Sequence, residues 1–327
     1  MFHTERYQRL VNKWLAAVAV LSLLPLASVQ AQERQINIGT YQSASPRPAS
    51  KAVLDRVDEK IEPSQQFEFA DHVANGVAMR NRTSGTIHLR GIPIRSKPLR
   101  AMLYFNFSDT KEKGDSSSPV LFNGNVIIAN KTGDHLDPCW GLVGNHSYVA
   151  DVTTLMPTDG NLNQDYHVVI PFDGNTSTSG QNPWSPVVPQ DVRIKGATLV
   201  LVYRNANSTG AVYVYDALNN AMFSGTATFT LVHGAHSQPG LFTMVGADGQ
   251  RGQGHDNSAS NELTFFNGSQ IAGPPVASSD WDGSDGWPLV QLWDTHRVNL
   301  KGDTSQVQYQ AGGNDCLVPV AFVIDAN

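Results

Sequence analysis

Two stretches of this chain repeat the same landmarks in the same order, and this repetition limits the fold more than any other feature. Each stretch opens with Ser-Gly-Thr, continues to Phe-Asn-Gly and then to an aspartate, and ends in a long apolar segment. The landmarks are Ser84-Gly85-Thr86, Phe122-Asn123-Gly124, Asp151 and 197–203, then Ser224-Gly225-Thr226, Phe266-Asn267-Gly268, Asp294 and 316–324. Because four landmarks at similar spacings seldom recur by chance, we predict two homologous domains, over 84–217 and 224–327.

Apolar residues alternate with polar ones in both stretches, as in strands that have one buried face. Ile87 and Leu89 show this period in the first stretch, and Phe229 and Leu231 show it in the second. Short runs that are apolar throughout, such as 317–324, suit strands that are covered on both faces. The sequence therefore predicts an all-β fold of two tandem β-sandwich, jelly-roll-like domains that arose by internal duplication.

The N-terminus has the order of segments found in a secretory signal peptide. Basic residues precede the apolar run 14–26, and small residues lead to Ala31. A transmembrane anchor is the alternative, but spanning a bilayer takes about 20 apolar residues. We predict a signal peptide over 1–31, a secreted or periplasmic mature chain without a membrane span, and a partly ordered leader over 32–83.

Composition excludes several classes of protein. A net charge of −6 and a pI near 5.9 argue against nucleic acid as a partner. Two cysteines are too few for a multi-cysteine zinc module or a disulfide-dense miniprotein. Cys139 and Cys316 lie in the exported part, where an oxidising compartment permits a disulfide between the two halves; two buried free thiols are the alternative.

Several segments carry a family resemblance. They include Val73-Ala74-Asn75-Gly76, Cys139-Trp140, Ala150-Asp151-Val152-Thr153, 196–203 and Asp315-Cys316-Leu317. Over roughly residues 70–325 the chain resembles a family of uncharacterised secreted bacterial proteins built from tandem β-sandwiches. The resemblance implies export and fold, and it brings no activity or functional residue with it. A remoter architectural analogy is to the paired jelly rolls of peptide:N-glycanase and the copper monooxygenases, and fold alone does not imply function.

An acidic loop is the main candidate metal site. The pair His233 and His236, and His135 near Asp134, are weaker candidates for Zn²⁺ or Cu²⁺, since no H-x-H or H-E-x-x-H motif occurs. In the acidic loop, Asp280, Asp282 and Asp285 stand along a glycine-containing segment, and spaced oxygen ligands are what Ca²⁺ requires. The EF-hand pattern fails, however, because Asp285 and Gln291 occupy the positions of its glycine and its last ligand. The loop is therefore either a calcium site or a solvated turn, and no other cofactor is indicated.

Tryptophans offer the one candidate ligand platform. Trp287 and Trp293 would share a face in a strand, where exposed indoles could stack on the rings of an extracellular glycan or another surface component. Packing in the core is the alternative, and it is the commoner role of tryptophan.

No catalytic motif stands out in the sequence. The chain contains neither a G-x-S-x-G elbow nor an H-E-x-x-H pair. Asp151 and Asp294 occupy equivalent places in the repeats, so we predict that they cap turns. The first functional hypothesis is an exported protein with a structural, adhesive or surface-binding role. The alternatives are an extracellular hydrolase acting on glycans or glycoproteins between the two sandwiches, and a carbohydrate- or calcium-binding module.

Overall fold

The structure is a computed structural model of the chain. It describes residues 54–79, 82–137, 142–172, 192–216, 218, 223–236, 239–247, 262–277, 279–281, 293–311 and 317–326. The predicted signal peptide and both cysteines, Cys139 and Cys316, lie outside these residues. No helix among the described residues is long and apolar enough to cross a membrane.

Eighteen strands and a single 3-10 turn make up the regular structure of the described residues, which confirms the all-β prediction. The first ten strands are β1 Leu54–Ile61, β2 Gln65–Glu68, β3 Asp71–Ala78, β4 Ser84–His88, β5 Lys97–Asp109, β6 Ser117–Phe122, β7 Asn125–Leu136, β8 Gly144–Asp151, β9 Asp165–Val169 and β10 Val192–Arg204. The remaining eight are β11 Ala211–Tyr215, β12 Phe223–His236, β13 Pro239–Ala247, β14 Leu263–Phe266, β15 Ser269–Ala272, β16 Trp293–Asn299, β17 Gly302–Gln310 and β18 Val318–Ala326.

Strands β3 to β10 form the first jelly roll. They pair in the order β3-β10-β5-β8-β7-β6-β9-β4, so that β3-β10-β5-β8 forms one layer and β7-β6-β9-β4 the other. The two layers enclose an apolar core that includes Ile87, Phe122 and Leu199. Strands β5 and β10 are buried along most of their length because both of their faces are covered, as their unbroken apolar runs predict.

Strands β11 to β18 form a second jelly roll with the same connectivity. One layer has the order β16-β13-β18-β11-β2, and the other has the order β1-β12-β17-β14-β15. Each strand from β11 to β18 occupies the place held by its counterpart from β3 to β10. Strands β1 and β2 extend the outer edges of the second jelly roll through their pairing with β12 and β11. The strand order is therefore the same in both jelly rolls.

The two Asn-Gly turns lie at the same point of the two jelly rolls. Asn123 and Asn267 both adopt the left-handed conformation, with φ of 48°. The Asn123 side chain accepts a 2.8 Å hydrogen bond from the His167 N–H, and the Asn267 side chain accepts one of 2.8 Å from the Gln306 N–H. In each case the turn is thereby tied to the neighbouring strand, β9 or β17.

Several predicted boundaries and equivalences differ from the structure. The predicted leader contains β1, β2 and β3, and β3 is an edge strand of the first jelly roll. Strand β11, predicted within 84–217, pairs with β18 of the second jelly roll. Ser84-Gly85-Thr86 and Ser224-Gly225-Thr226 lie on equivalent strands in different registers. In the first jelly roll, Gly85 pairs with Val168. In the second, the residue equivalent to Val168 is Val307, and it pairs with Phe229 rather than with Gly225.

The predicted equivalence of Asp151 and Asp294 is also wrong. Asp151 pairs with Met102, which packs between the jelly rolls, whereas Asp294 pairs with Met244, which lies inside the second jelly roll. Paired residues share a face of the sheet, so the two aspartates face opposite sides of equivalent layers. Asp151 does cap a turn, because it accepts a 3.0 Å hydrogen bond from the Thr153 N–H.

The two jelly rolls pack against each other through the layers that contain β10 and β18. We call this contact the junction. Its apolar core includes Ala74, Met102 and Val200 from the first jelly roll, and Val214, Val245 and Ala321 from the second. These six side chains are at most 7% exposed. Burial of a continuous apolar layer on this scale is the main stabilising term for such a contact.

Candidate functional site

A hydroxyl, an imidazole and a carboxylate form a chain of hydrogen bonds across the junction. His72 of β3 lies 3.1 Å from Asp325 through Nδ1 and 2.7 Å from Thr243 through Nε2. The Asp325 oxygen also accepts the His72 backbone N–H at 3.1 Å. When Nδ1 carries the proton that Asp325 accepts, Nε2 is left to accept the hydroxyl of Thr243. This order of groups is the one that activates a nucleophile in hydrolytic triads.

Burial prevents this group, the junction triad, from reaching a substrate. The side chains of His72 and Asp325 are 0% and 1% exposed, and Thr243 is 0% exposed. The Thr243 hydroxyl is also engaged with the Thr295 hydroxyl at 2.7 Å. A nucleophile must be able to approach the atom it attacks, so the triad holds the two jelly rolls together rather than acting on a substrate.

A second buried hydrogen bond supports the junction nearby. The Tyr104 hydroxyl of β5 donates to the Asp216 carboxylate at 3.0 Å. Burial, together with the charge of Asp216, raises the pKa of Tyr104 well above its ordinary value. The phenol therefore keeps its proton at neutral pH and acts as a donor to Asp216.

A second polar cluster lies between the two layers of the second jelly roll. Strand β16 places Asp294 and His296 on the face that pairs with Met244 and Phe242. Asp280, from the segment between β15 and β16, lies 2.6 Å from His296 Nε2 through Oδ1. One ligand atom from each of Asp280, Asp294 and His296 lies within 4.8 Å of the others, which makes this trio a candidate metal centre.

Neighbouring groups fix the side chains of this trio. The Thr264 hydroxyl donates to Asp280 Oδ2 at 2.6 Å, and the Thr295 N–H donates to Asp294 Oδ1 at 2.7 Å. Burial disfavours the charged imidazole of His296. The hydrogen bond and charge of Asp280, with the charge of Asp294, outweigh burial and raise the pKa of His296. The trio thus combines two carboxylates with one imidazole in an ordered arrangement.

A third cluster stands at one end of the first jelly roll. The buried imidazole of His146 lies between Asp134 at 2.7 Å and Asp109 at 3.1 Å. Burial by itself lowers the pKa of His146. The hydrogen bonds to the two carboxylates, and their charges, have a larger effect in the opposite direction, so the pKa of His146 is raised above its ordinary value. Other ionisable groups around this cluster include Lys131, Lys111, Asp115 and Tyr148. Both imidazole nitrogens are engaged with carboxylates, so this cluster acts as an ion pair within the fold.

The structure describes only some of the residues singled out in the sequence. Asp280 is buried and bonds to His296 and Thr264. Its predicted partners Asp282 and Asp285 lie outside the described residues, as does Trp287. Trp293 lies against Gly76 of β3, where an added Cβ would come within 2.2 Å of the indole. This packing covers part of the ring that the predicted glycan platform would use.

Asp294 and His296 were not predicted as ligands. The available signal was the spacing in Asp294-Thr295-His296, since residues two apart in a strand project to the same face. Asp280 lies next to them only in the folded chain, so the sequence did not indicate this partner.

Comparison with known proteins provides no family for this chain. No family model matches it, and no curated protein matches it. Among solved structures, it is similar to a peptide-N(4)-(N-acetyl-beta-D-glucosaminyl) asparagine amidase, at 12% identity over 78% of this chain and 96% of that chain, with a TM-score of 0.25. It is also similar to PNGF-II (8% identity, 77% of this chain and 65% of that one, TM-score 0.26). A third similar structure is the ANX2 ectodomain from Arabidopsis thaliana, at 8% identity over 79% of this chain and 88% of that chain, with a TM-score of 0.27. Likeness at this level does not indicate a shared activity.

Proposed function

We propose that the chain is an exported, non-catalytic protein with a structural or surface-binding role, whose partner is an extracellular glycan or another surface component. The export component rests on the basic and apolar N-terminal segment and on the family resemblance given above. The non-catalytic component rests on the junction. Because the junction is filled, a partner can reach only the outer surfaces of the two jelly rolls, and we propose that binding takes place there.

The filled junction is the observation that carries this proposal. A hydrolase with its site between the two sandwiches requires a concave, accessible surface on which acids and a nucleophile converge. At this place the described residues form an apolar core instead, and the junction triad is sealed within it. The function of these residues is therefore to join the two jelly rolls.

An assay of glycan release distinguishes this proposal from the hydrolase alternative. Denatured N-glycosylated protein is incubated with the mature chain, and released glycans are measured by mass spectrometry. We expect no release above background, and we expect Thr243→Val to change stability only. Release that disappears in Thr243→Val while the variant stays folded would place catalysis at the junction and overturn the proposal.

Binding is measured on a glycan array and on isolated cell-surface material with the labelled mature chain. We expect retention without chemical change to the bound component. A folded chain that is retained on neither would contradict the surface-binding role.

Export has its own test. N-terminal sequencing of protein recovered outside the cytoplasm is expected to begin at Gln32, because the small residues before it form the predicted cleavage site. An uncleaved chain confined to the cytoplasm would contradict export.

A further inference from the structure

We propose that Asp280, Asp294 and His296 bind a divalent first-row transition-metal cation, for which Zn²⁺ is the probe, between the two layers of the second jelly roll. The inference is independent of the surface-binding role, because it rests only on this trio and its surroundings. Two observations support it: the convergence of the three ligand atoms, and a buried hydroxyl beside them.

The spacing of the three ligands suits a cation after a small adjustment. Ligands on a tetrahedral zinc ion at about 2.0–2.1 Å from it stand about 3.3 Å from one another. Asp280 and His296 are closer than this, at 2.6 Å, because a hydrogen bond joins them. All three ligand atoms already lie within 4.8 Å of one another. A cation therefore replaces that hydrogen bond, whose proton leaves to solvent, and requires only side-chain movement.

Supporting hydrogen bonds hold the two carboxylates in place. The donors are the Thr264 hydroxyl on Asp280 and the Thr295 N–H on Asp294. Groups that orient ligating carboxylates in this way are a regular feature of protein metal sites, since they fix the ligands before the metal arrives.

Tyr309 supplies the independent observation. Its side chain is fully buried, and its hydroxyl has no hydrogen-bond partner among the described residues. Tyr309 pairs with Thr264, the residue that holds Asp280, and the charges acting on its hydroxyl are those of Asp280 and Asp294. Buried hydroxyls without a partner are rare in native proteins. A cation at the trio, or a water bound to that cation, gives the Tyr309 hydroxyl its missing partner.

The ligand set favours a zinc-like ion over Ca²⁺, which was one of the two alternatives for the acidic loop. Ca²⁺ takes six to eight oxygen ligands, whereas imidazole suits zinc and its neighbours. Asp280 Oδ1 lies 2.6 Å from an imidazole nitrogen, a type of ligand that suits zinc better than Ca²⁺. The site we propose therefore shares Asp280 with the predicted calcium loop but takes its other ligands from β16.

In the experiment, accessible thiols of the mature chain are first alkylated. The chain is then titrated with ZnCl₂, and binding is measured by calorimetry and by tryptophan fluorescence. Trp281 is a built-in reporter, because its ring lies 5.3 Å from that of Tyr309. We expect one Zn²⁺ per chain. Asp294→Asn and His296→Gln are each expected to weaken binding at least tenfold, and Tyr309→Phe severalfold. His236→Gln is the matched control, since His236 is an imidazole beside Tyr213 in a different part of the same jelly roll, and it should bind as the wild type does.

Three outcomes would overturn the proposal. They are no Zn²⁺ binding by the folded wild-type chain, unchanged affinity in the folded Asp294→Asn and His296→Gln variants, and tighter binding of Ca²⁺ than of Zn²⁺. Should those variants fail to fold, as judged by circular dichroism, Co²⁺ added to the wild type decides. Strong visible absorption from a four- or five-coordinate ion supports the site, and the weak absorption of six-coordinate aqueous Co²⁺ contradicts it.

Discussion

Replacing His72 by leucine removes the imidazole from the junction triad. The Asp325 side chain is 1% exposed. After the change, its Oδ2 keeps only the hydrogen bond from the backbone N–H of residue 72, and its Oδ1 has no partner among the described residues. Removal of one partner from a buried pair that contains a charge costs about 3–5 kcal/mol of folding free energy. Thr243 loses one hydrogen bond as well but keeps its bond to Thr295, so it adds about 1 kcal/mol at most.

Urea unfolding, followed by tryptophan fluorescence and far-UV circular dichroism, measures this loss. The expected result for His72→Leu is a decrease of at least about 3 kcal/mol in the free energy of unfolding. The double variant His72→Leu/Asp325→Leu should recover most of it, because replacing both partners of a buried hydrogen bond by apolar groups of similar shape can be nearly neutral.

His88→Leu is the matched control. His88 lies 2.9 Å from Asp165, but these two side chains are 61% and 53% exposed. Loss of this exposed contact should therefore leave the unfolding midpoint nearly unchanged. A loss below about 1 kcal/mol in His72→Leu, or a double variant as unstable as the sum of its single changes, would refute the structural role of the triad.

Three further predictions concern other parts of the fold. Asn123→Ala and Asn267→Ala should each cost about 1–2 kcal/mol in urea unfolding, since each loses a side-chain bond and strains a left-handed residue; a cost at one turn only would contradict their equivalence. Gly76→Ala should cost about 1–3 kcal/mol and shift tryptophan emission, because the added Cβ meets the Trp293 ring; unchanged stability and emission would contradict this contact. The raised pKa of His146 means that its charged form stabilises the fold below about pH 6.5, and that this contribution is lost as the pH rises through the folded-state pKa. The stability difference between wild type and His146→Phe, measured from pH 5 to 9, should therefore be largest at the acidic end, and a difference that grows with pH would be inconsistent with the ion pair.

Local sequence patterns were sufficient to predict the two equivalent hairpins. Asn-Gly at 123–124 and at 267–268 specifies a tight turn with positive φ at both residues, because these residues adopt that conformation at little cost. Alternating and unbroken apolar runs specified the strands that flank these turns.

Strand β3 was missed for a physical reason. Its Asn75 and Gly76 suggest a turn by local propensity, but pairing with β10 and packing against Trp293 hold them in a strand. Strand propensity depends strongly on such contacts, which a single sequence does not display. The error over Asp151 and Asp294 has a related origin, since a shift of one residue in a strand reverses the face on which a side chain lies.

The polar clusters could not have been predicted, because the fold assembles them from distant parts of the chain. His72 lies 171 residues from Thr243 and 253 residues from Asp325. The Asp280 and His296 side chains meet because β16 pairs with β13 and places His296 inside the second jelly roll. Only the spacing of Asp294 and His296 was visible in the sequence, and such a spacing is common in strands that bind nothing.

Hydrogen–deuterium exchange, followed by mass spectrometry, tests the sealed junction most directly. If the two jelly rolls are joined through a dry, packed contact, amides of the central strands β10 and β18 should be among the slowest to exchange in the described part of the chain, and His72→Leu should speed exchange in both. The hairpin at β14 and β15, remote from the junction, should keep its wild-type rate in that variant. Fast exchange of β10 and β18 in the wild type, at the rate of exposed turns, would show that the junction opens readily and would contradict the account.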